Sequence, residues 1–379
     1  MTTVISGSYP AVNSDSDATV NGLTVGKGGG SVASNTVVGV SSLSSNVSGV
    51  QISAFGNLVL PSNTGSYNSS FGYGSSYANT TGQQNSAFGA ASLNQNTTGS
   101  YNTAVGLSAL NFNTTASNNT AVGYQAGYSN TATANTFYGY KAGYTNSSGN
   151  ENTFIGTNAG FSNLTASGNT IIGINAYYTN STGNYNTVLG DAAGYSATGG
   201  SNTLLGLSAA ANLTTGSNNT VIGTSAGNSS GVINLTTQSN RVVIGDANVS
   251  NAYILVAWTV TSDARDKTDV SNTPYGLNFV NELRPITYKW DKRDKYENKT
   301  PDGTHKEPKT QLGFLAQDVI ELEKKYGGVA GDLLIADDET EESLKITETK
   351  MIPILVKAIQ EQQTIIESLT TRLTALETP

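Results

Sequence analysis

The chain has 379 residues, 42 of them glycine, only 12% charged and none of them cysteine, which excludes a disulfide framework and a cysteine-based metal site. Its one histidine, His305, lies in the polar stretch KTPDGTHKEPK and reads as a solvated loop residue, so no histidine cluster is available either. The formal net charge is −8, and no part of the chain carries the basic patch that nucleic-acid binding needs.

The charge is unevenly spread. Residues 1–239 hold four acids (Asp15, Asp17, Glu151, Asp191) and two bases (Lys27, Lys141), and the other 23 acids and 17 bases follow. A nearly uncharged Asn/Thr/Ser/Gly body therefore leads into an ordinary charged segment. The opening MTTVISGSYPAVNSDSDATVNG has no basic stretch ahead of an apolar core, and no run of about eighteen apolar residues occurs. A bacterial surface adhesin needs export and an anchor, so these features favour a virion protein assembled in the host cytoplasm, with no membrane insertion. Residues 1–60 are polar, Gly/Ser-rich and β-leaning.

From about residue 61 to 230 a repeat dominates: N-[TS]-x-apolar-G, then x-x-A, then a polar turn-forming stretch. Copies include Asn102–Gly106, Asn119–Gly123, Asn152–Gly156, Asn169–Gly173, Asn186–Gly190, Asn202–Gly206 and Asn219–Gly223. The marker glycines fall at 72, 89, 106, 123, 139, 156, 173, 190, 206 and 223, every interval being 16 or 17 residues. One unit has too little apolar surface to fold alone, whereas stacked copies bury a continuous ladder, which predicts a β-solenoid. Residues two apart on a strand share a face, so Thr120 and Val122 point one way and Ala121 and Gly123 the other. A coil of this length, extended at about 3.3 Å per residue, has a perimeter of roughly 56 Å, predicting a thin roll of two or three short strands per coil. So small a core predicts association with other chains, three in all.

The several N-x-[ST] triplets read most simply as repeat residues rather than glycosylation sites. Catalysis on an external glycan needs two suitably spaced carboxylates, and residues 60–239 offer only Glu151 and Asp191. The pattern of residues 68–227 resembles the head repeats of trimeric autotransporter adhesins, left-handed parallel β-rolls, and still more the NTAVGxxAG repeats of phage fibres. In a fibre the N-terminal region commonly attaches to other virion structural proteins, the role expected of residues 1–60.

Residues 231–261 read as a β-strand junction, with NRVVIGD (Asn240–Asp246) leading into AYILVAWTVT (Ala252–Thr261). SDARDKTDV follows from Ser262. Ser262, Asp263, Arg265 and Lys267 fit an S-D-x-R-x-K opening, and LNFVNELRPITYKWD (Leu277–Asp291), LGFLAQDVIE (Leu312–Glu321) and MIPILVKAIQEQQ (Met351–Gln363) come after it in order. Residues 262–379 thereby resemble the intramolecular chaperones at the C-termini of phage endosialidase tailspikes, other phage fibres and some eukaryotic transcription factors. The resemblance implies a Ser–Lys dyad, with Ser262 as nucleophile, Lys267 as general base and a cut between Thr261 and Ser262. A lysine can act so only if burial or a neighbouring cation favours its neutral form, and Arg265 is the candidate cation. Asp263 either orients the scissile peptide or caps a helix or turn. The five-residue spacing requires a bent or trimer-assembled conformation for contact. No cofactor or metal is expected.

LGFLAQDVIELEKKYG reads as a helix with Phe314, Leu315, Val319 and Leu322 inward and Lys324 and Lys325 near its end, and TYKW (Thr287–Trp290) as a strand. The chaperone region is therefore expected to be a small α/β domain. Over 351–377, Ile352, Leu355, Ile359, Gln362, Ile366, Leu369, Leu373 and Leu376 recur at alternating three- and four-residue spacing, the seam of a coiled coil roughly 37 Å long. A trimer seam and a single amphipathic helix packed on its own domain both fit. Three functions follow: a tail or capsid fibre assisting attachment to a host surface polysaccharide or protein, a bacterial adhesin, and a virion spacer without receptor contact.

Overall fold

The computed structural model describes residues 17–20, 23–229, 233–249, 252–255, 260–338 and 344–377. The chain divides into two units, one running to Ser229 and taking in Asn234–Asp246, the other continuing from Ala247.

The first unit is a β-solenoid of about 11 turns. Strands at Thr36–Gly39, Ser53–Phe55, Ser69–Phe71, Ser86–Phe88, Thr103–Val105 and Thr120–Val122 succeed one another in parallel. Thr136–Tyr138, Thr153–Ile155, Thr170–Ile172, Thr187–Leu189, Thr203–Leu205, Thr220–Ile222 and Val242–Ile244 continue the ladder. An antiparallel pair, Ala18–Val20 with Leu23–Gly26, adds to its first edge. The ladder thus takes in Asn35–Gly39 and Ser53–Phe55, within the stretch 1–60 that was set apart from the repeat. At the far end, the longer step from Thr220 to Val242 makes room for the paired strands Asn228–Ser229 and Ile233–Asn234. Of the junction, Val242–Ile244 is a strand, 252–255 and 260–261 are not, and 256–259 lie outside the described residues.

Each coil contributes one three-residue strand to this sheet, not two or three strands, and closes through turns. The middle residue of each strand points inward: Ala104, Ala121, Phe137, Phe154, Ile171 and Leu204 are fully buried, while the flanking Thr/Ser and apolar residues face out. The alanine of x-x-A is buried too, as at Ala109, Ala126, Ala142 and Ala159. The strand-ending glycine is required by close approach. Gly156 has φ +133°, and a Cβ there would sit 2.5 Å from the carbonyl oxygen of Gly173 on the next coil.

The interior is closed by asparagine. The side-chain oxygen of each repeat-opening Asn accepts the backbone N–H one coil on: Asn102 N–H to Asn85 (3.0 Å), Asn119 to Asn102 (3.1 Å), Asn152 to Asn135 (2.9 Å), Asn169 to Asn152 (3.0 Å) and Asn186 to Asn169 (2.9 Å). A second column, at Asn63, Asn79, Asn96, Asn113, Asn130, Asn146, Asn163 and Asn180, is equally buried. Within it, Asn96 donates to Asn79 (2.7 Å), Asn113 to Asn96 (3.0 Å) and Asn180 to Asn163 (3.0 Å). The asparagines that sit in N-x-[ST] triplets here, such as Asn96, Asn113 and Asn163, are interior struts, as the plainer reading of those triplets has it. On the outside, Tyr128, Tyr144, Phe161, Tyr178 and Tyr195 stack one on the next with centroids 5.1, 5.2, 5.0 and 5.2 Å apart.

The second unit is small and α/β. Its helices are α1 (Leu277–Glu282), α2 (Ala316–Lys325) and α3 (Met351–Glu377). Ile286–Lys289 pairs antiparallel with Thr310–Gly313, and Ala336–Asp337 with Lys345–Ile346. Tyr275, Phe279, Val319, Ile320, Leu322, Ile335, Met351 and Ile354 form the core. The helix expected from Leu312 starts only at Ala316, because Leu312 and Gly313 belong to the strand. Leu315, expected inward, precedes the helix and is exposed, while Phe314 is partly buried against the core.

Two substitutions probe the shaft interior. Asn152→Ala leaves the buried N–H of Asn169 without an acceptor and should lower stability by about 2 kcal/mol, read as a shift of the urea midpoint. Ser75 occupies the position of Ala109 two repeats earlier, and its buried hydroxyl has no partner. Ser75→Ala should therefore raise stability, by about 1 kcal/mol in the same assay.

Candidate functional site

The site lies where the second unit's sequence pattern begins. Asp263 has extended backbone and its carboxylate accepts the Arg265 N–H at 2.9 Å, capping a single 3-10 turn, Ala264–Asp266. That turn folds Lys267 back over the residue preceding the cap. The Lys267 Nζ lies 2.5 Å from the Ser262 Oγ and 3.2 Å from the Ser262 carbonyl oxygen. The dyad contact therefore forms within one chain, through a bend that the local sequence encodes.

The two supporting residues go to one another. The Arg265 guanidinium clasps the Asp263 carboxylate, with Nη2 2.6 Å and Nε 3.2 Å from Oδ2 and Nε 3.1 Å from Oδ1. This holds the Asp263 carboxyl below the usual carboxylate range and pushes Arg265 up from its ordinary value. Of the two roles open to Asp263, the structure shows the turn cap. Arg265, the candidate for a cation acting on Lys267, is engaged by Asp263. Thr261, Ser262 and Lys267 are exposed.

Beyond the dyad the chain is fastened to α3. The Glu361 carboxylate accepts the Leu277 N–H at 2.7 Å, supplying α1 with the cap that Gly276 lacks, and Lys357 Nζ donates to the Thr273 carbonyl at 2.6 Å. Opposite, Glu323 of α2 is fully buried and accepts the N–H groups of Leu334, Ile335 and Ala336 at 2.8, 2.9 and 2.8 Å. Burial, and next to it Glu323, pushes the Tyr275 hydroxyl up to about 12. Glu323 was not foreseen, although it lies four and three residues after Val319 and Ile320, on their face of the helix.

The faces of α3 are distinct. Met351, Ile354 and Ala358 pack on the unit's own core. The residues of the expected seam (Ile352, Leu355, Ile359, Gln362, Ile366, Leu369, Leu373, Leu376) are all exposed, Ile359 at 64%. The helix that packs on its own domain and the seam thus use different residues of one helix.

With this geometry in hand, comparison with known proteins gives a match over residues 262–328 to the family described as chaperone of endosialidase. The match opens on Ser262 itself and spans the dyad, α1, the Ile286–Lys289 strand pair and α2. No curated protein and no solved structure matches the chain. A β-solenoid shaft and a chaperone-of-endosialidase segment together fit a phage fibre that carries an intramolecular chaperone.

The Asp263–Arg265 clasp gives a pH expectation. A depressed carboxyl keeps its bond at all pH values above the ordinary midpoint and loses it as pH falls through the lowered one. A carbon-detected NMR titration should therefore place the Asp263 midpoint below about 3.9, and Arg265→Ala should raise it part of the way back, because the backbone N–H of residue 265 still donates to the carboxylate. An unchanged midpoint in the variant would remove the clasp from solution.

Proposed function

We propose that the chain is a structural virion fibre, a tail or capsid fibre that assists host attachment, and that it is a homotrimer assembled by its C-terminal unit. The observation that carries this reading is the Ser262–Lys267 contact at the first residue of the chaperone match, in a chain whose preceding unit is a solenoid shaft. Three copies of the exposed α3 seam would associate first, being local and quick to form. They would bring three shafts into register, a step that is slow because parallel repeats slip easily. An outward apolar row on the shaft, including Phe88, Tyr138 and Leu189, supports contact between copies. Residues 1–60 would join the fibre to other virion proteins, and a host surface polysaccharide or protein is the distal partner.

In the proposed cleavage, Lys267 takes the Ser262 Oγ proton as that oxygen attacks the Thr261 carbonyl carbon. The Thr261–Ser262 amide breaks, its nitrogen receives the proton from Lys267, and an ester links Thr261 to the serine oxygen. Water hydrolyses the ester, leaving a carboxylate at Thr261 and a free amine on Ser262. With the chaperone separated, the fibre's stability becomes kinetic. An uncut spacer fibre with a retained clamp is the second reading, supported by the exposure of the dyad in one chain.

Intact mass of the purified full chain beside Ser262→Ala decides between them. Cleavage predicts a fragment beginning at Ser262 in the wild type and none in the variant. A single uncut chain in both would end the peptidase reading and leave the clamp. If residues 1–261 alone gave native trimers as efficiently as the full chain, the chaperone role would be wrong.

A further inference from the structure

We propose that the shaft carries a saccharide-binding groove with Tyr185 as its platform, an inference that rests on the host-attachment reading and gives it a site. The groove is an open cavity of about 480 Å³ on the coils between Thr182 and Ser217, within the roughly 300–1,000 Å³ typical of small-ligand sites.

Its origin is local and can be followed in the sequence. The turns between the second-column position and the repeat-opening asparagine span six or seven residues, as in NTGSYN, NTATAN, NTTGSYN and NSTGNYN. The turn from Ala197 is one of the six-residue ones and reads ATGGSN, set apart by the adjacent Gly199 and Gly200. Two consecutive residues without side chains leave a gap beside Tyr185. A Cβ on Gly200 would lie 2.9 Å from the Asn184 carbonyl oxygen, so the backbones are in close approach there.

Tyr185 is placed to use the gap. Its side chain is 72% exposed, and its ring lies over Gly168 on the preceding coil, where an added Cβ would be 2.7 Å from Cδ1. Tyr178 and Tyr195 differ, because their ring faces cover one another in a stack. Stacked rings offer only edges to a ligand, whereas Tyr185 packs against a glycine and borders the cavity. The rim carries hydroxyls fixed by the neighbouring coil. Thr198 Oγ1 donates to the Thr214 carbonyl at 3.2 Å, and Ser217 Oγ accepts the Gly200 N–H at 3.1 Å, each keeping lone pairs for a ligand.

An aromatic ring beside fixed hydroxyls, with no charged side chain among the lining residues, suits a neutral ligand having an apolar C–H face and a rim of hydroxyls. A pyranose ring is such a ligand. An anionic or wholly apolar ligand finds neither a cation nor an enclosed apolar wall here.

Tyr101 provides an internal control. It has the same place in its coil and is 59% exposed, but it follows Gln84 rather than a glycine, and the next turn reads Ala116–Ser117–Asn118 with no glycine pair. The experiment is saturation-transfer NMR on the full chain, with the methyl pyranosides of glucose, galactose and N-acetylglucosamine as probes. Saturation of the ring C–H protons of at least one probe is expected, with affinity falling about tenfold or more in Tyr185→Ala. Tyr185→Phe, which keeps the ring, and Tyr101→Ala should both retain binding. Thr215→Arg, which fills the groove from an exposed position without touching the tyrosine, should abolish it. No saturation from any of the three probes, or equal losses in Tyr185→Ala and Tyr101→Ala, overturns the proposal. Adsorption of the full-length protein to host cells separates the two readings. Wild-type adsorption that Tyr185→Ala leaves intact sinks the groove alone, and pyranoside binding without any adsorption sinks the attachment reading alone.

Discussion

The shaft depends on one constraint: each coil must hand its register to the next through a side chain that both donates and accepts. Asparagine does this at the shortest reach. Its oxygen takes the next coil's N–H while its amide turns to a carbonyl of the intervening turn. The two columns converge, since the carbonyl of Ala166 accepts from Asn152 at 2.8 Å and from Asn163 at 3.0 Å, and that of Gly149 from Asn135 and Asn146 at 2.9 Å each. Both lone pairs of one carbonyl are thus used. Aspartate would lack the donor and bring a buried charge, and serine is too short to reach the next coil's N–H and the turn carbonyl at once. A polar interior is tolerable only when nearly every member is satisfied, which accounts for the regularity of the asparagine spacing and the scarcity of charge.

Around these columns the apolar volume is traded from coil to coil. At Ala87 and Ala104 a leucine fills the space six residues on, Leu93 and Leu110, whereas after Ala121 that place is Gly127, where a Cβ would meet Phe137 of the next coil at 2.4 Å. Where the inward strand residue is phenylalanine, that place is glycine: a Cβ on Gly143 would meet Phe137 at 2.3 Å, and one on Gly160 would meet Phe154 at 2.7 Å. Near the far end the second asparagine column stops at Asn180, giving way to the buried Ala197 and Leu213. The Tyr177 hydroxyl takes over the bond to the Gly199 carbonyl, and burial drives it well above the usual tyrosine range. Each coil is therefore matched to its neighbours rather than to a global core, the nearest-neighbour energetics of a repeat protein.

The period of the shaft was legible because one residue type, the strand-ending glycine, is demanded by contact with the next coil at every turn. The ladder's start at Asn35–Gly39 was also readable, since NTVVG fits the repeat. It was obscured by the next coil, where Ile52 stands in place of asparagine. The single strand per coil was not legible, because extended length cannot be read from composition when many turn residues, Tyr101 and Glu151 among them, take positive φ. Asparagine and threonine have turn-forming propensities on average, and nothing local distinguishes an interior Asn163 from an exposed one. At the junction, the Ser–Lys spacing required a bend, and Asp263 two residues before Arg265 encodes it as a capped turn. The pairing of Arg265 with Asp263 follows from the same spacing, because a carboxylate two residues away meets the guanidinium without any tertiary contact.

This local origin bears on how the proposed cleavage would be timed. A contact made by a capped turn within one chain needs no other copy, so contact alone would not make cutting wait for the fibre. What a serine nucleophile also needs is a lysine whose neutral form is favoured, by burial or by an unpaired cation nearby. In the single chain Lys267 is exposed, and the Arg265 charge is spent on Asp263. If further copies pack as proposed, the removal of water from the dyad is what they would have to add, since both dyad residues are exposed in the single chain. On the proposed reaction the gate would then be burial rather than proximity, and the exposed face of α3 is where the proposed copies would first meet.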